Sequence, residues 1–160
     1  MDKVTRMDLP KTGSYIYYIA TDLHDRHCCL NTMRSMIDMA QSSPKLRRKL
    51  ILGGDFIDLP EFMHKKPDYK KHLKDVNGIE DYFIPAAEEA YAWGNVMLDE
   101  LQKVFKEIVF VCGNHDYRLE LFAKGPCPID YRHNFDIIKK LHLEERGVAF
   151  VNYNHWLDLS

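Results

Sequence analysis

Four short apolar runs punctuate an otherwise mixed chain: "SYIYYIA" (Ser14–Ala20), "KLILG" (Lys49–Gly53), "EIVFVC" (Glu107–Cys112) and "GVAFV" (Gly147–Val151). Each is rich in β-branched, aromatic or aliphatic residues and reads as a strand. Between them the period changes. Met33, Met36, Ile37 and Ala40 fall on one stripe of a helix starting near Thr32, with Asn31 placed to cap it and "SSP" (Ser42–Pro44) to stop it. A longer helix is predicted from about Pro85 to Lys106. Pro85 suits its first turn, and Met97, Leu101, Val104 and Phe105 form its apolar face. A short helix is expected from about Asp116 and another over roughly Asn134–Leu143. Leu59–Asp81 is polar and irregular, part of an insertion at about 59–84. Continuous apolar strands alternating with helices predict an α/β fold, with a largely parallel central sheet that is flanked by helices and covered on both faces.

Length and charge narrow the classes. The 160 residues fit one domain, and 46% hydrophobic against 29% charged residues is the balance of a soluble globular chain with a core. A net charge of −2 gives no global attraction to nucleic acid or anionic membrane. The run "YIYYIA" (Tyr15–Ala20) is far too short to span a bilayer and has no small-residue cleavage site behind it. A cytoplasmic protein without a membrane partner is expected. Cys28 and Cys29 are adjacent, and Cys112 and Cys127 stand alone. With no C-x-x-C pair, reduced cysteines packed as small hydrophobes are expected.

In parallel sheets ligands bind outside the carboxyl ends of the strands, so the residues just past each strand carry the chemistry. The first strand is followed by "TDLH", with Asp22 and His24. The second is followed by "GDFID", with Asp55 and Asp58, and the third by "GNHD", with Asn114, His115 and Asp116. Three successive strands thus deliver oxygen and imidazole donors to one edge, and the Gly53–Gly54 bend turns Asp55 toward it. Carboxylate, amide oxygen and imidazole suit Mn, Fe, Zn or Mg. Two such ions about 3.5–4 Å apart need a bridging ligand, which a central carboxylate such as Asp55 supplies. His115 beside them is placed to protonate a leaving oxygen.

The blocks Asp22-Leu23-His24, Gly54-Asp55-Phe56-Ile57-Asp58 and Gly113-Asn114-His115-Asp116 resemble, in order, the D-x-H, G-D-x-x-D and G-N-H-[DE] motifs of the calcineurin-like metallophosphoesterases. The resemblance runs from about Ser14 to the end of the chain. It implies a metallophosphoesterase-type layered fold in a single domain over residues 1–160. It also implies hydrolysis of phosphate mono- or diesters through a metal-bound hydroxide at a site of two divalent ions, with a phosphorylated substrate as partner. Carried over residue by residue, it implies Asp22 and His24 as ligands of the first metal, Asp55 as the bridge and Asn114 as a ligand of the second. His115 is then the catalytic group at the scissile phosphate, with Asp58 and Asp116 holding the loops or orienting it. Arg118, two residues past Asp116, is either a phosphate contact or a helix-surface arginine.

The family's later histidine blocks, H-G and G-H-x-H, do not occur in the sequence, which ends at Ser160 just after the fourth strand. The resemblance therefore implies a C-terminally incomplete domain, unless His133, His142 or His155 substitutes. His27 reads as a group beside the site or in solvent. The basic stretch "HKKPDYKKHLK" (His64–Lys74) reads as a solvated insertion or as an arm for a phosphorylated polymer. Two other functions remain open at this point: a binding scaffold on the same fold that has lost catalysis, and a nuclease of the same family.

Overall fold

The computed structural model describes residues 4–6 and 15–158. Along the chain the elements run β1 (Val4–Arg6), β2 (Ile16–Ala20), α1 (Leu30–Gln41), β3 (Arg48–Gly53), α2 (Pro67–Lys74), α3 (Ile84–Val104), β4 (Glu107–Val111), α4 (Asn114–Lys124), α5 (Ile137–Lys140), β5 (Ala149–Val151) and β6 (Trp156–Asp158). The fold is α/β. Strands β2, β3, β4 and β5 lie side by side in that order, every pairing parallel, while β1 pairs with β6 in a separate two-stranded ribbon. All four sequence-predicted strands are present within a residue or two of their expected bounds; Ser14 lies outside the described residues.

Chain order across the sheet decides where the helices go. Each connection steps to the next strand in the same direction, and parallel crossovers are right-handed almost without exception. A sheet laid down this way collects its crossover helices on one face. The register shows the asymmetry. The rows Tyr18–Leu50–Ile108 and Ala20–Leu52–Phe110–Phe150 face one hydrophobic cluster containing Met33 and Ala40 of α1, Leu98 and Leu101 of α3 and Phe122 of α4. On the opposite face Ile51, Val109 and Val151 are buried outside that cluster, and Ile19, paired with Ile51, is 63% exposed. Leu50, Leu52 and Phe110 are closed to solvent, each adding about 1.5–3 kcal/mol of burial to the side that carries the helices.

One buried cation ties the layers together. Arg48, the first residue of β3, donates to the carbonyls of Gln41 (3.1 Å) and Ser43 (2.6 Å) at the end of α1, and to Val104 (3.2 Å) at the end of α3. Helix C-termini leave carbonyls without intrahelical donors. A guanidinium there satisfies them and complements the helix dipoles.

Several helix bounds differ from the sequence reading. Helix α1 starts at Leu30 with Cys29 at its cap, so Asn31 sits inside the first turn. Helix α4 starts at Asn114, two residues early, because the Asp116 carboxylate reaches back to the Gly113 N–H at 2.8 Å and closes the first turn. Helix α5 covers only Ile137–Lys140; His142 adopts a left-handed backbone (φ 52°) that ends the helical run before it. The stretch after Asp58 is not an irregular, solvated insertion. It contains α2 and two short helical turns, and it buries Leu59, Phe62, Tyr69, Ile79 and Phe83. Phe62, Phe83, Phe122 and Phe135 meet there edge to face or tilted, with ring centroids 4.6–5.7 Å apart.

Candidate metal centre

The carboxyl ends of β2, β3 and β4 continue into three loops, the first two laced backbone to backbone and the third tied in through the Asp55 and Asp116 carboxylates. The Asp22 N–H donates to the Gly54 carbonyl (3.0 Å), His24 to Asp55 (2.9 Å) and Asp25 to Phe56 (3.1 Å). Gly54 makes the bend as expected, with φ 96°, and a methyl group there would press tightly on the next loop, 3.2 Å from the Gly113 Cα. Asp22, His24, Asp25 and Asp55 also hold left-handed backbones, at φ 55°, 51°, 35° and 50°. That region costs L-residues about 1–2 kcal/mol each.

The loops bring Asp22, His24 and Asp55 together. Each offers one donor atom within 4.8 Å of the other two. Ligands bonded at about 2.0–2.3 Å on opposite sides of one ion stand up to roughly 4.6 Å apart, so small side-chain shifts would let this oxygen, oxygen, imidazole set share one divalent ion. A second group, His24, Asp58 and His115, converges to the same limit and shares His24 with the first. The His24 and His115 rings meet edge to face at 4.7 Å.

His115 is held from two sides. Its backbone N–H donates to Asp55 Oδ1 at 2.8 Å, and its Nδ1 lies 2.7 Å from Asp58 Oδ1. A carboxylate can only accept, so the proton of that pair sits on Nδ1 and leaves Nε2 for another partner. Arg118 Nη1 is 3.1 Å from the same Nδ1 and 3.8 Å from Asp58 Oδ1. Burial lowers the Arg118 pKa, and the nearby Asp58, Asp55 and Asp116 oppose that shift. Arg118 is thus no helix-surface arginine; it borders the site.

Asp116 lies underneath, 1% exposed, and accepts from the backbone N–H groups of Gly113 (2.8 Å), Ile57 (3.1 Å) and Phe56 (3.4 Å). Burial pushes its carboxyl up to about 6 against the lowering effect of these donors. Its work is to clamp the β3 and β4 loops together. Asp25 does the same for the first two loops: 3% exposed, it accepts from the Asp58 N–H at 2.9 Å. Sequence reasoning passed over Asp25, since a second acid directly after D-x-H has no motif and only its burial marks it.

Asn114 opens α4 at the same edge and is exposed, next to the amide that binds Asp55. His27 is mostly exposed, its Nε2 3.9 Å from Asp58 Oδ2. Among the described residues, neither donor group includes His133, His142 or His155. His142 instead pairs with Glu145 at 2.6 Å. The four cysteines are free thiols. Among the described residues no helix is long and apolar enough to cross a membrane. No family model, curated protein or solved structure matches the chain.

Proposed function

We propose that this chain is a calcineurin-like metallophosphoesterase domain that hydrolyses phosphate esters with divalent metal. One observation carries the reading: three consecutive parallel strand ends supply Asp22 and His24, Asp55, and Asn114 and His115 to a single edge, with the Asp22, His24 and Asp55 donors within 4.8 Å of one another. Left-handed backbone at three of those positions adds support, because strain held in place by surrounding hydrogen bonds concentrates at functional sites.

Asp22, His24 and Asp55 would hold the first ion, and Asp55 with Asn114 the second. A bound divalent ion supplies Lewis-acid polarisation of the phosphoryl oxygens and activation of water. The chain's own residues do the rest. Asp58 fixes the His115 ring through Nδ1 and stabilises the imidazolium, whose Nε2–H would hand its proton to the departing oxygen and leave the neutral Nδ1–H ring. The Arg118 guanidinium, beside that pair, complements the charge that builds on phosphorus oxygens. Asp116 and Asp25 keep the three loops at fixed spacing.

The test is hydrolysis of p-nitrophenyl phosphate and its bis-ester by the 160-residue chain with Mn²⁺. Metal-dependent turnover abolished in Asp55→Ala, with far-UV dichroism unchanged, supports the reading. Turnover that persists in Asp55→Ala, or that is indifferent to chelator, removes it.

A further inference from the structure

A cavity of about 330 Å³ adjoins the candidate centre, lined by Phe62, Tyr69, Leu121 and Phe122 and by the cations Lys65 and Arg118. Its volume lies at the small end of ligand pockets, which run about 300–1,000 Å³ and combine apolar walls with a few placed polar groups. The aromatic walls are rigid. Phe62, Tyr69 and Phe122 are 4%, 9% and 3% exposed, and they interlock, with Phe62 and Tyr69 packed against Phe122 at centroid distances of 5.0 and 6.2 Å. No carboxylate lines the cavity, although acids crowd the centre beside it. Arg118 belongs to both: its side chain forms part of the cavity wall and its Nη1 touches the His115–Asp58 pair. Leu121, one turn along α4, lines the cavity and is 55% exposed, so the cavity is open on its side.

We propose that this cavity holds the leaving group of the substrate, and that the group is an aromatic ring carried close to the phosphorus. The inference rests on the phosphoesterase reading, which puts the phosphate at the Asp and His cluster. Arg118 then lies between phosphate and ring. A flat apolar face fits walls made of three rings, and cations without acids fit an anionic ester. Ring burial in the cavity helps to hold the ester for reaction at the centre. An aromatic ring on a phosphate ester can be a nucleobase or a phenol, and the two are separated by experiment.

The full chain is titrated, in EDTA, with adenosine 5′-monophosphate, phenyl phosphate and glycerol 2-phosphate, read by calorimetry. The ring-bearing esters bind about 10-fold or more tightly than glycerol 2-phosphate, the difference expected from stacking one ring on aromatic side chains. Tighter binding of adenosine 5′-monophosphate assigns the ring as a nucleobase; equal or tighter binding of phenyl phosphate assigns a simple phenol. Leu121→Trp, an exposed position where an indole covers the open side, brings that ratio toward one. Equal affinity for all three esters overturns the proposal, as does a ratio that Leu121→Trp leaves intact. The same esters are then assayed for hydrolysis with Mn²⁺. Ring-selective binding without turnover of any ester removes the phosphoesterase reading and with it the leaving-group role, and leaves the cavity as a ring-binding site only. Turnover of all three esters at one kcat/KM removes the cavity proposal and leaves that reading standing.

Discussion

Gly113→Ala separates packing at the centre from ordinary glycine chemistry. Gly113 has φ −85° and ψ −179°, a backbone that any L-residue adopts, so alanine brings no conformational penalty. What it brings is a methyl group 2.9 Å from Asp55 Cγ and closer still to the Asp55 amide nitrogen and Oδ1. Neither partner is a flexible chain end: one is backbone and the other is held by the His115 N–H at 2.8 Å. The overlap costs about 1–3 kcal/mol if relieved by local shifts, and losing the charge-assisted bond to Asp55 adds about 1.5–3 kcal/mol. Less unfolded-state entropy returns up to about 1 kcal/mol. The expected net loss is about 2–5 kcal/mol, or roughly 5–20 °C in Tm at this chain length. Gly147→Ala is the control. There φ is 67° with open space around the added methyl, so only the left-handed backbone penalty applies, about 1–2 kcal/mol. Both are compared by urea and thermal unfolding with and without Mn²⁺. The rise in Tm from Mn²⁺, which measures binding to the folded state, should disappear in Gly113→Ala and persist in Gly147→Ala. A Gly113→Ala protein as stable as Gly147→Ala and still stabilised by Mn²⁺ would refute the close approach of the two loops.

Asp116→Asn should cost about 2–4 kcal/mol in urea unfolding, because its amide group turns a donor toward backbone N–H groups that the buried carboxylate accepts; a loss under 0.5 kcal/mol would mean the clamp does not matter. His115→Ala should lower turnover about 10²–10⁴-fold while metal content, read by plasma emission, stays near wild type. Loss of metal in step with activity would make His115 a ligand. Asp58→Asn should reduce kcat about 10–100-fold with KM nearly unchanged, since Asp58 acts by orienting His115; a change confined to KM contradicts that role. On the nuclease alternative, replacing Lys66, Lys70, Lys71 and Lys74 of the basic α2 region by glutamine should flatten the salt dependence of single-stranded DNA binding. An unchanged slope in a binding assay removes the nuclease alternative's only support.

The sheet and the convergence of its candidate residues at one edge were legible in the sequence because the strands are apolar runs cut off by chemistry-bearing residues. Asp22, His24, Asp55 and His115 each stand within a few residues of a strand end, and the parallel order then needs no further information to gather them. The side of the sheet that carries the helices was not legible. Two-sided apolar strands say that both faces are covered, not by what, and the answer came from strand order and crossover hand. The aromatic cluster after Asp58 was missed for a related reason. Phe62, Tyr69 and Phe83 come from three short elements, so no single period marks them, and the lysines between them made the stretch look solvated. Asp25 and Arg48 were passed over because each acts through burial and backbone partners, which no spacing announces. The left-handed loops at Asp22, His24 and Asp55 are likewise invisible in residue type alone.

The most direct test of the central claim is an anomalous difference map from crystals of the chain grown with Mn²⁺. A peak bonded at about 2.0–2.3 Å to Asp22, His24 and Asp55 together is the expected result. A well-ordered site with no peak there, or Mn²⁺ bound only by residues away from this edge of the sheet, would contradict it.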